Sequence, residues 1–520
     1  MKKNRIILVT LAPITHRTAE ENLGLEYLKS VLVEKNFDVE IIDGWLNDLS
    51  VDDVYSKIAE NPDNILFVGI SSYMSNTAPT IELIKKIKNS MQDIKIVCGG
   101  FGPTFYPNEY LNSKSDFIIR GEGEEAICEL ADALLNNKEP IEIKNIGYIK
   151  DNKVVLNNMR SLTNNLDLFP FPSRDTIDVV LDKKSSVNMI TARGCSGNCE
   201  FCSVISFFKL SEGKVWRTRS IKNIVDEIEN LYKQGVTHIK IVDDSFVDGT
   251  RDEKWCYDFA NEIEKRNIKV NLRGQIRADK VTDSILKNLK RAGFFSFACG
   301  IENGSQTALS RMNKKATLKD NENALRLFKK NDYIVQMGYI LFDKDTTLDE
   351  LWENYDFLDK YSYTITKGIF SEMFSAEGTK LNARLRKNNE LKESDFISNN
   401  NKYDINDNTV RKVYECLKLW HKSHGEIYDM TIDPLTAPKS ISREQMEEFY
   451  QLIMMLKKKD LEIFKKILIM IKENPDMNIY DYITQEIKDT NGDYRDIKVR
   501  VMKLYKNNSL VYDANTNPFI

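Results

Sequence analysis

Arg193-Gly194-Cys195-Ser196-Gly197-Asn198-Cys199-Glu200-Phe201-Cys202 is the stretch from which the fold is read. It follows Met189-Ile190-Thr191-Ala192, a run that predicts a β-strand, so the cysteines occupy the loop after a strand. Their spacing is C-x3-C-x2-C. Three thiolates on one loop can ligate three irons of a [4Fe–4S] cube and leave the fourth iron open, whereas four cysteines close it. Two other readings stand beside this one: three unrelated thiols, or a zinc site. Zinc takes four ligands, usually as two close pairs. No fourth Cys or His lies nearby, the nearest being His238.

Working outward, residues 186–395 alternate apolar strand and amphipathic helix. Strands are expected at Met189–Ala192, His238–Val242, Val270–Gln275, Phe295–Ile301, Ile334–Leu341 and Thr364–Phe370, with helices between them. Six such units predict a partial (β/α)6 TIM-type barrel, with chemistry at the carboxyl ends of the strands. The cysteine loop falls at such an end. So do Asp243-Asp244-Ser245, Arg277 and Glu302-Asn303-Gly304-Ser305. An acidic pair directly after an apolar strand suits an ammonium group, or is a surface turn. Arg277 suits a carboxylate, or is an exposed ion pair.

Residues 1–160 alternate in the same way. Units of that kind predict a Rossmann-like parallel sheet with helices on both faces and ligands at the carboxyl edge. The turns at Thr10–Thr18, Ser71–Thr77 and Gly99–Thr104 lie at that edge. Residues 146–156 read as a hairpin, and 161–185, with Phe169-Pro170-Phe171-Pro172, as an extended linker. From 396 to 520 the pattern is mostly helical. Gln445–Lys472 is strongly amphipathic, with Met454, Met455 and Met470 expected in the core. His421 and His424 are expected on an exposed, Lys-rich helix end, where an i, i+3 pair is weak as a metal site. Tyr403, Tyr414, Trp420, Tyr428 and Tyr450 either line a pocket or pack a core. The fold class is therefore α/β, with a helical C-terminal domain.

The chain has 520 residues, a net charge of −4 and a pI near 5.9, which gives no electrostatic footprint for nucleic acid. No apolar stretch approaches the ~18 residues of a membrane span. Met1-Lys2-Lys3 followed by Ile6-Ile7-Leu8-Val9 reads as a first buried strand rather than a signal peptide. The other five cysteines, Cys98, Cys128, Cys256, Cys299 and Cys416, are isolated in sequence. They are expected to be reduced thiols in a cytoplasmic, reducing setting.

The three-cysteine loop, with Phe201 just before its last cysteine, resembles that of the radical S-adenosylmethionine superfamily. The resemblance implies an open iron that chelates the amino and carboxylate groups of S-adenosylmethionine. It assigns Phe201, Asp243, Asp244 and Ser245 to that cofactor, Asp243 or Asp244 meeting its amino group. Glu302, Asn303 and Ser305 fall in the motif that holds ribose and carboxylate. Gly338 and Ile340, in Met337-Gly338-Tyr339-Ile340, fall beside adenine, and Arg277 near the carboxylate. Trp216-Arg217-Thr218-Arg219-Ser220 resembles a family element with a structural role.

Residues 1–160 resemble the cobalamin-binding domain that precedes many of these barrels. The matching pieces are Glu21-Asn22-Leu23-Gly24-Leu25-Glu26-Tyr27-Leu28, Cys98-Gly99-Gly100-Phe101-Gly102-Pro103-Thr104 and Arg120-Gly121-Glu122-Gly123-Glu124. The D-x-H-x-x-G signature of a histidine lower ligand is absent, although Thr15 and His16 sit near the right loop. Many radical members lack it too and bind cobalamin through backbone and small side chains. The implied contacts are Thr15, His16, Ser71, Ser72, Gly99, Gly100, Phe101, Thr104, Gly121 and Glu122.

Together these resemblances imply a methyltransferase acting on an unactivated carbon or on phosphorus, through a 5′-deoxyadenosyl radical and methylcobalamin. Its site would lie between the sheet edge and the barrel mouth, closed by the helical domain. A small-molecule or peptide substrate, an external donor such as flavodoxin or ferredoxin, and a monomer are expected. The alternatives are a radical rearrangement, cyclisation or oxidation without methyl transfer, with or without cobalamin, and a non-catalytic iron–sulfur sensor or scaffold.

Overall fold

Ile6, Ile7, Leu8 and Val9 are all buried because the strand they form is covered on both faces. Side chains alternate along a strand, so Ile7 and Val9 enter one core with Val54, Ile58 and Ile84, while Ile6 and Leu8 enter another with Leu25, Leu32 and Ile127. In this computed structural model the described residues are 4–13, 21–366, 369–397, 400–436, 441–475 and 477–510. The chain divides into two units. The first is Met1–Asp182, Cys202–Ser220 and Ala376–Lys402; the second is Lys183–Phe201, Ile221–Ser375 and Tyr403–Ile520.

The first unit is built on strands β1 (Arg5–Thr10), β2 (Asp38–Asp43), β3 (Ile65–Ser71), β4 (Lys95–Gly99), β5 (Phe117–Ile119), β6 (Ile146–Lys150) and β7 (Lys153–Leu156). Their order is β2-β1-β3-β4-β5-β6-β7. β1 to β5 are parallel, and the expected hairpin, β6 and β7, extends the same sheet antiparallel. Helices α1 (Leu23–Glu34), α2 (Val51–Ala59), α3 (Thr77–Ser90) and α4 (Glu124–Leu135) cover it. α1 starts where the Asn22 side chain accepts from the Leu25 N–H, and α2 at a Ser50–Asp53 capping box. The topology reverses between β1 and β3, the place where such sheets bind ligands beyond the strand ends.

In the second unit, β8 (Val187–Met189), β9 (His238–Ile241), β10 (Asn271–Arg277), β11 (Phe294–Glu302), β12 (Ile334–Tyr339) and β13 (Ile365–Thr366) form one parallel sheet in chain order. Helices α5 (Ile221–Lys233), α6 (Glu253–Lys265), α7 (Asp283–Arg291), α8 (Leu318–Lys330) and α9 (Leu348–Lys360) connect them. β8 ends at Met189, and Ala192 of the expected strand belongs to a separate two-residue strand, Ala192–Arg193. Between them the Thr191 and Ala192 N–H groups donate to Asp243 Oδ1 at 2.6 and 2.9 Å. Of the expected sixth strand, Ile365 and Thr366 are strand, and residues 367 and 368 lie outside the described residues.

The chain ends in α10 (Asn408–Lys422), α11 (Gly425–Thr436), α12 (Arg443–Glu473) and α13 (Ile479–Asn507). α12 buries Leu452, Ile453, Leu456, Phe464, Ile467 and Leu468. The expected methionine core is corrected here. Met455 is exposed, and Met454 and Met470 are half-buried at the edge of that stripe.

Gly100 follows β4 with φ of +100°, and a Cβ there would stand 2.7 Å from the Ser72 carbonyl oxygen. Gly100→Ala is expected to destabilise the first unit by at least about 1–2 kcal/mol from the backbone conformation alone. Thermal unfolding followed by circular dichroism checks this.

Candidate active site

The cysteine loop is held by groups other than its cysteines. Gly194 N–H donates to Asp244 Oδ2 at 2.9 Å. Ser196 donates to Asp248 twice, from N–H at 2.9 Å and from the hydroxyl at 2.6 Å. From the other side, Glu200 N–H donates to the Met312 carbonyl at 3.0 Å. Asn313 reaches the Asn198 carbonyl at 3.1 Å and Lys315 the Ser196 carbonyl at 2.8 Å. The backbone is therefore fixed, and Cys195, Cys199 and Cys202 are half-buried thiols outside any disulfide on one continuous stretch. Phe201 is half-buried beside them in sequence.

Burial pushes the Cys195 thiol up, opposed by the Gly197 N–H at 3.3 Å and the Arg277 guanidinium at 3.8 Å. A metal on the sulfur removes that penalty, since a coordinating thiol is deprotonated outright. Three thiols outside any disulfide, with donors aimed at one sulfur, thus fit a three-cysteine cluster.

Asp243 and Asp244 do different work. Asp243 is fully buried and accepts from the Thr191 N–H and hydroxyl, the Ala192 N–H and the Arg251 guanidinium at 3.3 Å. It has no oxygen left for a ligand, which corrects the expectation that it contacts an amino group. Asp244 is half-buried and, among the described residues, accepts only the Gly194 N–H through Oδ2. Ser245 is buried, its hydroxyl turned to the Val247 carbonyl at 3.2 Å.

The exposed ion pair expected as one reading of Arg277 is also corrected. The residue is buried and forks onto Asp279 at 2.9 and 2.8 Å, with Nη1 toward Cys195 Sγ and Ser196 Oγ. Sequence reasoning missed Asp248, Arg251, Lys314 and Thr191. The signal for the first two was their place in the polar run after β9.

At the end of β11 the register slips between Gly300 and Glu302, and Glu302 takes φ of +67°. A bulge of this kind re-aims a side chain. The Glu302 carboxylate pairs with Lys314 at 2.8 Å and lies over Gly300 and Gly338. A Cβ on Gly300 would be 2.6 Å from Glu302 Oε1, and one on Gly338 3.5 Å from Oε2. Burial pulls Lys314 down, but Glu302 and then Cys199 outweigh it, and the net direction is up. Asn303 and Ser305 are buried in the turn, Asn303 donating to the Ile340 carbonyl at 2.8 Å and Ser305 bonding Thr307 at 2.8 Å. Ile340 N–H donates to the Glu302 carbonyl at 2.6 Å. Glu302, Gly338 and Ile340 are thus brought together, while Asn303 and Ser305 shape the turn.

In the first unit, Thr15 and His16 lie outside the described residues. Ser71, Gly99 and Gly100 are half-buried at the ends of β3 and β4. The larger polar side chains are committed inward. Ser72 Oγ bonds Tyr110 at 2.6 Å and Asn76 at 3.1 Å. Thr104 Oγ1 donates to the Gly100 carbonyl at 2.6 Å and accepts the Gly121 N–H at 3.1 Å. Glu122 is clamped by Arg217 through two bonds of 2.8 Å, and Phe101 stacks on Phe207 at 4.5 Å. Gly121 has φ of +72° and faces Met159. An edge of small residues and backbone fits a broad, flat ligand held without long side chains.

In chain order, a parallel sheet whose carboxyl edge is lined by small residues precedes a second parallel sheet that carries a three-cysteine loop. Residues 11–131 match the B12 binding domain and residues 189–358 the Radical SAM superfamily. The chain is 30% identical over 345 residues to the uncharacterized methyltransferase PH0819 of Pyrococcus horikoshii, covering 65% of this chain and 73% of that protein. It is 27% identical over 364 residues to the anaerobic magnesium-protoporphyrin IX monomethyl ester cyclase of Rubrivivax gelatinosus, covering 66% of this chain and 64% of that protein. The solved cobalamin-dependent S-adenosylmethionine radical enzyme OxsB, with aqua-cobalamin bound, superposes with a TM-score of 0.74 at 20% identity, covering 98% of this chain and 82% of that one. The chain belongs to the cobalamin-dependent radical S-adenosylmethionine enzymes. Its cofactors are a [4Fe–4S] cluster, S-adenosylmethionine and cobalamin.

Burial pushes the Asp244 carboxyl up to about 6, against the Gly194 N–H. Because the folded state favours the protonated acid, this group's contribution to stability is greatest below about 4 and is lost as pH rises through about 6. Asp244→Asn is therefore expected to flatten the fall in melting temperature between pH 4 and 7 relative to the unsubstituted chain, measured without added cofactor.

Proposed function

We propose that the chain is a methyltransferase that moves a methyl group to an unactivated carbon or to phosphorus. The reading is carried by the cysteine loop and the B12 domain occurring in one chain that is 30% identical to a protein named as a methyltransferase. When bound, the cofactors supply the radical and the methyl group. The chain's own residues bind and orient. Asp244 would accept from the amino group of S-adenosylmethionine, and Glu302 from its ribose hydroxyls. Lys314 holds the Glu302 carboxylate in place at 2.8 Å. Gly338 and Ile340 would lie against adenine, and Phe201 beside the cluster. The backbone at Ser71, Gly99, Gly100 and Gly121 would carry the corrin, with Thr15 and His16 as further candidate contacts. The substrate is a small molecule or peptide, the electrons come from flavodoxin or ferredoxin, and the enzyme acts as a cytoplasmic monomer. No helix among the described residues is long and apolar enough to cross a membrane.

The cyclase relative supports a second reading, a radical reaction without methyl transfer. Product mass separates the two: a gain of one methylene unit supports methylation, and deoxyadenosine with no such gain supports the second.

Anaerobic reconstitution with iron, sulfide and hydroxocobalamin is expected to give about four iron and one cobalt per chain. Cys199→Ala is expected to lose the iron and keep the cobalt. Metal analysis after desalting reads both. Loss of one charged hydrogen-bond partner, in Glu302→Gln, is expected to weaken S-adenosylmethionine binding about tenfold or more, checked by equilibrium dialysis on the iron-loaded chain.

A further inference from the structure

The exposed histidine pair expected from the sequence is buried. His421, near the end of α10, is 9% exposed, and His424, in the turn before α11, is 1% exposed. Asp460 of α12, also 1% exposed, faces them. One ligand atom from each of the three lies within 4.8 Å of the other two. We propose that His421, His424 and Asp460 bind one divalent transition-metal ion that ties the α10–α11 corner to α12.

The carboxylate is arranged as a metal ligand. Asp460 Oδ1 accepts the Trp420 indole N–H at 2.8 Å. Its other oxygen, Oδ2, is buried and no donor among the described residues reaches it. A carboxylate oxygen left so is costly, and a cation between it and the imidazoles removes the cost.

The hydrogen bonds around His424 set its tautomer. The Ser423 hydroxyl donates to the Trp420 carbonyl at 2.7 Å, so toward His424 Nδ1, at 3.2 Å, it accepts. Nδ1 then carries the proton and Nε2 points its lone pair at Asp460 Oδ1, 2.9 Å away. Two acceptors at that distance require a cation between or beside them, either a proton or a metal. An imidazole whose other nitrogen is anchored by a hydrogen bond is the usual form of a metal-bound histidine. Stacking on Tyr494, with centroids 4.4 Å apart and planes at 6°, fixes the ring.

Among the described residues, Lys457 is the cation whose charge the Asp460 carboxylate feels, and its hydrogen bonds go elsewhere. Lys457, one turn before Asp460, spends its ammonium on the Thr364 carbonyl at 2.7 Å and the Thr364 and Thr366 hydroxyls at 3.0 and 3.1 Å. The Tyr428 hydroxyl is buried with no hydrogen-bond partner among the described residues, and its ring centroid lies 5.9 Å from that of His421 and 6.4 Å from that of His424. Two imidazole nitrogens and one carboxylate oxygen suit zinc(II), and the same set suits iron(II).

The test uses the full chain with Cys195, Cys199 and Cys202 changed to Ala, so that thiols cannot capture the probe. It is loaded with zinc chloride, dialysed against a weak chelator and analysed for metal and by X-ray absorption. The expected result is one zinc per chain with only nitrogen and oxygen neighbours at about 2.0–2.2 Å. His421→Gln and Asp460→Asn should each lower retention at least tenfold. Anaerobic loading with iron(II) identifies the preferred ion, and retention of either supports the site. No retained metal, or retention unchanged in both variants, overturns it. Asp460 also anchors Trp420, so a variant can lose metal by misfolding. Anomalous diffraction at the zinc edge from zinc-soaked crystals of the unsubstituted chain avoids this. A peak among the three residues supports the site, and its absence overturns it.

Discussion

A buried carboxylate organises the second unit. Asp243 sits at the end of β9 with no exposure to water, and its charge is met by two backbone N–H groups, a hydroxyl and the Arg251 guanidinium. Arg251 is itself buried, sandwiched toward Phe246 and Trp255 at 4.8 and 4.5 Å. Removing either partner of such a pair leaves an uncompensated charge, at a cost of about 3–5 kcal/mol. The same carboxylate holds the Thr191 and Ala192 amides just before the cysteine loop begins. Asp244 and Asp248 then fasten its backbone at Gly194 and Ser196.

A second constraint acts at the end of β11. Glu302 adopts a left-handed conformation that non-glycine residues seldom take, and it persists because its surroundings over-determine it. Lys314 holds the carboxylate, Ile340 holds the carbonyl, and Gly300 and Gly338 leave the space the carboxylate occupies. The first unit follows a different economy of contacts. Its edge spends Ser72, Thr104 and Glu122 on internal bonds and so offers a ligand mostly backbone and small side chains.

Much of this was legible in the sequence. Strands buried on both faces read as unbroken apolar runs and helices as apolar periodicity, so the order of elements and the α/β class followed directly. The cysteine loop was legible because its spacing is chemistry rather than packing. What escaped is what depends on distant partners. Asp243 and Asp244 are neighbours of identical type, and only the fold makes one a structural anion and the other a free acceptor. Glu122 and Ser72 are offered by the sequence as ligand contacts, and their side chains are bonded to Arg217 and Tyr110. His421 and His424 read as exposed because lysines surround them in sequence, while Asp460, which decides their environment, lies in another helix. The methionines of α12 failed for the opposite reason, an amphipathic stripe whose exact limits are set by the neighbouring helices.

Arg277 shows how such partners change the meaning of a residue. A lone guanidinium beside Cys195 would add a full positive charge next to a thiolate. Here Asp279 takes one edge of the fork in two bonds, and Asp248 lies 4.0 Å from Nη1. The two carboxylates offset the charge and leave a directed N–H facing sulfur. Hydrogen bonds to cysteine sulfur and local net charge are separate determinants of a cluster's reduction potential. The arrangement keeps the first while cancelling the second. A residue that the sequence offered as a carboxylate ligand is, in the fold, a hydrogen-bond donor to the cysteine that starts the loop.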